Sequence, residues 1–250
     1  MKSPVITLLQ TNPQWGDAPS NHFLSEALMA EAEQSDLYLL PEMFATGFAI
    51  NPDGMAETEP GETLRWMQRM AQQLDAAVAG SVAIRDADGL ARNRFYFVTP
   101  MDVYHYDKTH LFHPGGEDEH YVPGKKAVEV EWRGVRYRLQ ICFDLRFPES
   151  ARNHADKPYD VLLYVANWPY SRRPQWEHLL RARAIENQCY VVAVNRVGND
   201  PVAHYDGSSC ILDPLGEDLV RCPLEQESTC TATLDMERLQ RMRQRFPVLK

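Results

Sequence analysis

Apolar residues along this chain recur at two spacings, every second position and every third or fourth, and the two regimes alternate from one end to the other. Val5–Gln10 reads as a first strand. Residues 21–33 predict a helix, with Phe23, Leu24, Ala27 and Leu28 on one face and Ser20 as its cap. A short apolar run over 36–40 stops at Pro41 and predicts a buried strand. Glu62–Leu74 carries Leu64, Met67, Met70, Ala71 and Leu74 at helical spacing. Strands follow at 77–84, 94–99 and 103–106, the first two flanking a turn at Asp88-Gly89. The second half repeats the rhythm. A hairpin over 128–132 and 135–141 turns at Arg133-Gly134, and a buried strand at 161–165 precedes a helix over 176–187 and a strand over 190–195. Strands at 209–212 and 218–221 pair around Pro214-Leu215-Gly216, and a strand over 229–234 leads into a short helix from Met236.

Helices and strands alternating in this way predict an α/β layered architecture. Two sheets packed face to face with helices outside satisfy the pattern. The two halves share the rhythm without a clear sequence repeat. No Pro/Gly/Ser-rich linker divides the chain, so residues 1–250 read as one domain. Residues 44–61 lack periodicity and are rich in Gly, Pro and acidic side chains, and a loop of that length in a compact domain is often functional.

Composition narrows the function. A formal net charge of −9 lacks the cationic surplus that nucleic acid or anionic lipid selects, so neither is an expected partner. The apolar run from Val5 to Leu9 is too short for a secretory core or a membrane span, and the expectation is a cytoplasmic protein without a membrane segment. Five cysteines are scattered without CxxC pairs, which fits neither a disulfide framework nor a zinc knuckle. They should be thiols, of which at most one or two need a chemical role.

Three short segments bring polar residues to strand ends. In Leu39-Leu40-Pro41-Glu42-Met43-Phe44, a carboxylate follows directly on a buried strand, where open α/β sheets present their ligand-binding crevice. In Tyr106-Asp107-Lys108-Thr109-His110, a lysine sits just past an apolar strand. In Gln140-Ile141-Cys142-Phe143-Asp144-Leu145-Arg146-Phe147-Pro148, a cysteine ends a strand and opens a polar turn, the arrangement that exposes a nucleophile to backbone N–H groups. Taken singly each has a bland reading: Glu and Lys are mostly solvated, and free cysteine is usually a small core hydrophobe. Cys189, Cys210, Cys222 and Cys230 fit that bland reading.

Together, in the order Glu, Lys, Cys, the segments resemble the signature of the nitrilase superfamily of carbon–nitrogen hydrolases. The resemblance runs from Val5 to the closing helix and includes Tyr164-Val165-Ala166-Asn167-Trp168-Pro169 and Arg181-Ala182-Arg183-Ala184-Ile185-Glu186-Asn187. It is nearest to the omega-amidase branch, through Pro41-Glu42-Met43-Phe44 with Thr46-Gly47-Phe48, Ala166-Asn167-Trp168-Pro169 and Glu117-Asp118-Glu119-His120-Tyr121. The resemblance implies a four-layer α-β-β-α sandwich and an amidase that releases ammonia from a small acid amide such as 2-oxoglutaramate, through a thioester on Cys142, with deaminated glutathione, an N-carbamoyl compound or a nitrile as the alternative substrates of the superfamily. It implies Glu42 as general base and Lys108 as the cation at the thiol and the oxyanion, joined there by the backbone N–H of Phe143. A second glutamate is implied at Glu117, with Glu119 as the competing position. No metal or other cofactor is implied, and a homodimer is the family's usual assembly. A substrate carboxylate wants a cation. Arg172 and Arg173 are candidates, and Arg146 is another unless it pairs with Glu149 or Asp144. Phe44 and Trp168 are candidate pocket walls, with Asn167 beside them.

Rival readings are weaker. No histidine is placed by a motif for a Cys–His hydrolase. His110, His113 and Glu117 are broken by Pro114-Gly115-Gly116, which no ligating helix would contain. Pro123-Gly124-Lys125 lacks the glycine and the Ser or Thr of a phosphate loop. A non-catalytic binding protein of the same fold would not need all three reactive residue types.

Overall fold

The structure, a computed structural model, describes residues 3–249. The first half of the chain builds β1 (Val5–Gln10), α1 (Ala18–Glu31), β2 (Leu37–Leu39), β3 (Glu57–Thr58), α2 (Glu62–Leu74), β4 (Ala77–Arg85), β5 (Ala91–Val98) and β6 (Val103–Asp107). The second half builds β7 (Glu129–Trp132), β8 (Val135–Ile141), β9 (Val161–Ala166), α3 (Arg173–Asn187), β10 (Tyr190–Asn195), β11 (Val197–Asn199), β12 (His204–Asp206), β13 (Cys210–Leu212), β14 (Asp218–Arg221), β15 (Ser228–Thr233) and α4 (Met236–Arg245). One sheet runs β15-β1-β2-β4-β5-β6, with β3 beside β4; the other runs β14-β13-β10-β9-β8-β7. The last strand thus crosses back to pair antiparallel with the first, Leu8 opposite Cys230.

Strand alternation decides the layers. Ile6, Leu8, Leu37, Leu39, Ala77, Ala79, Phe95 and Phe97 turn toward the second sheet. Their neighbours Leu9, Tyr38, Leu40, Val78, Tyr96 and Val98 turn the other way, onto α1 and α2 with Leu64, Trp66, Met67 and Met70. In the second sheet β8, β9 and β10 are parallel, and every residue of β9 and β10 is buried, the continuous apolar run of strands covered on both faces. α3 and α4 cover that sheet through Trp176, Leu180, Ala184, Met236 and Leu239. The result is the expected helix–sheet–sheet–helix sandwich. Trp176 is fully buried, with Nε1 donating to Ser208 O at 3.1 Å, and truncating such a side chain costs about 3–5 kcal/mol.

The first helix departs from the sequence reading. Asp17, not Ser20, caps it: its carboxylate accepts the Ser20 N–H at 3.1 Å and the Ser20 hydroxyl at 2.7 Å. The face turned inward is Asn21, Ser25 and Met29, while Phe23 is 75% exposed. Polar anchoring outweighs the apolar stripe here. Asn21 Nδ2 donates to Ala45 O and Gln14 O, both at 2.8 Å, and this fixes which side of the helix meets the loop after β2.

Candidate active site

The strand ends set the site. In the first sheet β1, β2 and β4 are parallel, and β6 reaches the same direction through two antiparallel pairings, so the residues after β2 and β6 emerge at one edge. Glu42 follows β2 and Lys108 follows β6. The parallel β8 and β9 of the second sheet deliver Cys142 and Asn167 from their C-terminal ends in the same way.

Each residue is held by its local backbone. Glu42 sits in a wholly buried turn, residues 41–49, that Ser81 grips: the Ser81 hydroxyl accepts the Met43 N–H at 2.9 Å and the Ser81 carbonyl accepts the Phe44 N–H at 3.3 Å. Beside it Gly80 leaves no room for a side chain, since a Cβ there would lie 2.9 Å from both Leu40 and Phe44. Lys108 continues the sheet ladder, its N–H donating to Asn93 O at 2.9 Å and its carbonyl accepting the Gly124 N–H at 2.9 Å. Gly124, set aside above as a phosphate-loop glycine, is required here because a Cβ would collide with the carbonyl oxygen of Asp107. Cys142 begins a 3-10 turn, Cys142–Arg146, with φ of 42°, the left-handed region. For a residue other than glycine that conformation costs about 1–2 kcal/mol, and it turns the residue out of the strand line.

The side chains converge, and all of them are buried. Lys108 Nζ is 2.8 Å from Glu42 Oε1 and 2.8 Å from Glu117 Oε2, and none of the three side chains reaches solvent. Asn93 Nδ2 joins the two carboxylates, donating to Glu42 Oε1 at 2.8 Å and to Glu117 Oε1 at 3.0 Å. Glu117 Oε2 also accepts the Phe112 N–H at 2.6 Å. Glu42 Oε2 accepts the Asn167 N–H at 2.9 Å, and the Asn167 Nδ2 donates to the Glu42 carbonyl at 2.6 Å. Cys142 Sγ donates weakly to Asn167 O at 3.9 Å. Of the two glutamates left open by the sequence, Glu117 turns inward and Glu119 is exposed.

The electrostatics follow from this packing. Burial pushes the Cys142 thiol well above its ordinary range, the Glu42 and Glu117 charges and a hydrogen bond to Glu42 push the same way, and Lys108 opposes them. Burial alone would lower the Lys108 pKa; Glu117, then Glu42, then Cys142 outweigh it, and the ammonium is held well above its usual range. Burial raises the Glu117 carboxyl, against Lys108 and with Glu42. These directions favour a thiol beside a lysine ammonium that Glu42 and Glu117 both contact.

Cys142 opens into a cavity of about 850 Å³ lined by Phe48, Phe112, Phe143, Arg146, Trp168, Arg172 and Tyr205 among others, with no acidic side chain in its wall among the described residues. Phe143, Asn167, Trp168 and Arg172 all line it. Phe44 does not. The Met43 backbone is left-handed, φ 46°, and the turn sends Phe44 to the helix side, where its ring packs 5.7 Å from Trp66 and 6.3 Å from His22. Phe48 takes the wall position, its ring 5.4 Å from Lys108 Nζ. Arg173 also turns away, pairing with Asp206 at 2.6 Å. Arg146 and Arg172 have no ion-pair partner among the described residues; their guanidinium groups lie 5.2 Å from the Trp168 ring and 5.5 Å from the Phe112 ring. His110 hydrogen-bonds to Asp144, and His113 packs its ring edge-on against Phe143.

Sequence reasoning missed Asn93 and Asn195, and it did not give Phe48 its place in the wall. Asn93 had a signal: it shares the inward register of Ala91, Phe95 and Phe97, so a polar residue stands where the sheet pairing demands an apolar one. Phe48 stands in the Thr46-Gly47-Phe48 stretch of the resemblance, but nothing marked it as the wall residue, because it lies in a loop whose course the apolar pattern does not dictate.

A fold of two such sheets with a Cys, Lys and Glu at their common edge defines a class. Residues 5–244 match the model of the carbon-nitrogen hydrolase family, and the chain belongs to it. The chain is 46% identical to an omega-amidase, YafV, of Yersinia enterocolitica over 99% of its length and 96% of the relative's. It is 34% identical to the 2-oxoglutaramate amidase of Bacillus subtilis, covering 97% of this chain and 95% of that one. Among solved structures it is similar to XC1258 of Xanthomonas campestris, a CN-hydrolase superfamily protein with an arsenic adduct in its active site, with TM-score 0.93, 41% identity, and coverage of 99% and 96% of the two chains. Nit3 of Saccharomyces cerevisiae, a member of branch 10 of the nitrilase superfamily, superimposes with TM-score 0.90 at 25% identity, covering 100% of this chain and 96% of that one.

Proposed function

We propose that this amidase removes ammonia from the terminal amide of a small monoamide of a dicarboxylic acid, of which 2-oxoglutaramate is the type, through a thioester on Cys142. The observation that carries the reading is the buried contact of Lys108 with both Glu42 and Glu117 beside the Cys142 thiol, at the base of a cavity whose wall, among the described residues, has Arg146 and Arg172 as its charged groups without an acidic partner.

In this reading Glu42 takes the thiol proton as Sγ attacks the amide carbon. Lys108 and the backbone N–H of Phe143 face the oxyanion; Phe143 is the second residue of a helical turn, whose first N–H groups have no intrahelical partner. Collapse of the tetrahedral intermediate breaks the C–N bond, and Glu42 returns the proton to the departing ammonia. Glu42 then draws a proton from water, the hydroxide adds to the thioester, and the carboxylic acid leaves with the thiol restored. Glu117 and Asn93 hold the ammonium and the base in register. Arg146 and Arg172 take the substrate carboxylate, and Phe48, Phe143 and Trp168 enclose its methylene chain. The names of the Yersinia and Bacillus relatives support this substrate class.

Cys142→Ala should abolish ammonia release from 2-oxoglutaramate, and intact mass should show an acyl adduct on Cys142 with a slow substrate; full activity without the thiol, or an adduct elsewhere, would overturn the reading. Arg146→Gln should raise KM for 2-oxoglutaramate about 10- to 100-fold, the worth of one charge-assisted hydrogen bond, while leaving a neutral amide unaffected. We further place the enzyme in the cytoplasm as a homodimer. All five cysteines are free, as in a reducing compartment, and exposed Ile185 and Leu215 offer an apolar face beside α3. Among the described residues no helix is long and apolar enough to cross a membrane. Sedimentation velocity would test the dimer.

A further inference from the structure

Asp144 lies two residues past the nucleophile, in a turn whose other members either face the cavity or pack in the core. Its carboxylate is fully buried and accepts four hydrogen bonds. Oδ2 takes the Ile141 N–H at 2.9 Å and the Tyr106 hydroxyl at 2.8 Å. Oδ1 takes the His110 N–H and His110 Nδ1, both at 2.9 Å. The reach back to Ile141 is that of a capping-box carboxylate to the N–H at the head of its helix. The other three bonds have no such local purpose. They run to the opposite sheet, to the residues two before and two after Lys108. Ile141 is the residue before Cys142.

We propose that Asp144 is a positioning residue that sets the Lys108 ammonium against the Cys142 sulfur, by tying the strand end that carries one to the loop that carries the other. It touches neither substrate nor reacting atoms. The observations leave it little else to do: a carboxylate with no solvent contact is costly to bury, and every donor it satisfies belongs to one of those two segments. It also brackets the left-handed Cys142 backbone, bonding to the residue immediately before it from the residue two after it. The inference rests on the proposed roles of Cys142 and Lys108.

The test is the pH–rate profile for alkylation of Cys142 by iodoacetamide, read by mass, in the full chain. The groups facing the thiol are Glu42, Lys108, Glu117 and Tyr205; those facing Asp144 are Tyr106, His110 and Tyr164. Asp144→Asn keeps the shape but has one accepting oxygen in place of two, so either the Ile141 and Tyr106 donors or the two His110 nitrogens must face its NH2 group. If Asp144 positions Lys108, the profile moves to higher pH, and alkylation near neutral pH slows about tenfold for every pH unit by which the profile moves. Removal of a nearby negative charge acting directly on the thiol would move the profile to lower pH, so the sign separates the two. In a Lys108→Met background the same substitution should change the profile less than about twofold, because its effect travels through the missing ammonium. An unchanged profile in Asp144→Asn, a downward displacement, or the same displacement with and without Lys108 would overturn the inference. If Lys108→Met leaves alkylation unaltered, the proposed role of Lys108 fails instead. Should Asp144→Asn not fold, Tyr106→Phe removes one of the four bonds, together with the hydroxyl that accepts the Thr109 N–H at 3.1 Å, and must give a smaller displacement of the same sign.

Discussion

Asn195 holds Trp168 by both ends of its peptide: Oδ1 accepts the Trp168 N–H at 2.7 Å, and Nδ2 donates to the Trp168 carbonyl at 2.9 Å. The same Nδ2 donates to Gly207 O at 2.8 Å, so one buried side chain fixes the cavity wall to the segment after β12. Asn195→Ala would orphan a buried N–H and two carbonyls. The expected loss is about 1–3 kcal/mol in urea unfolding, with a raised KM as the Trp168 wall loosens.

Gly80→Ala tests the packing under Glu42. The new methyl would meet Leu40 and Phe44 at 2.9 Å, on the turn that carries Glu42. Overpacking of this kind costs about 1–3 kcal/mol. The midpoint of denaturation should fall, and kcat should fall with it, since Phe44 cannot retreat without moving Glu42. A variant of full activity would show that the turn has slack.

Glu117→Gln should separate thiol reactivity from turnover. Glu117 is one of the charges holding the Cys142 thiol protonated, so its loss should speed alkylation of Cys142 at neutral pH. Turnover should nonetheless drop, on the order of 10²–10³-fold as for a displaced oxyanion donor, because Lys108 keeps only one carboxylate. Stopped-assay ammonia release beside alkylation rates would read both in one preparation.

Stability should be greatest from just below neutral to about pH 9. The thiols of Cys189 and Cys210, both fully buried, are pushed by burial up to about 12. Above the unfolded value, near pH 8.5–9, the unfolded chain has released protons that the native chain retains, so stability falls as pH rises toward 12, by up to about 1.4 kcal/mol per pH unit for each thiol. On the acid side, burial and then Arg69 push His22 down to about 4. There the unfolded chain binds the extra proton, so stability is intact above about 6.5 and is lost as pH falls toward 4. Urea midpoints across pH 4–11 would trace both limbs. Cys189→Ala with Cys210→Ala should make the alkaline one shallower, the remainder coming from Cys142 and the other buried groups raised by burial.

The layers were legible because strand alternation must place one face on the partner sheet and the other on helices, as Phe95 and Tyr96 do. Glu42, Lys108 and Cys142 were legible because polar residues at apolar strand ends have a recognisable company. What escaped was whatever depends on a turn. The left-handed backbone at Met43 sends Phe44 into the core and leaves the wall to Phe48, and no spacing in the sequence announces a positive φ at methionine. The burial of α1 escaped for a kindred reason. Asn21 finds backbone carbonyls that are distant in sequence, and those bonds outrank the apolar stripe containing Phe23.

Glu42 and Lys108 hang from one sheet, Cys142 and Asn167 from the other. Under the proposed mechanism, turnover is therefore a gauge of the gap between the two halves of the molecule. A solvent or pressure condition that parts them by even an ångström should silence the enzyme while its circular dichroism still looks native. For anyone seeking the gentlest sign of damage to this protein, the ammonia assay will speak before the spectrum does.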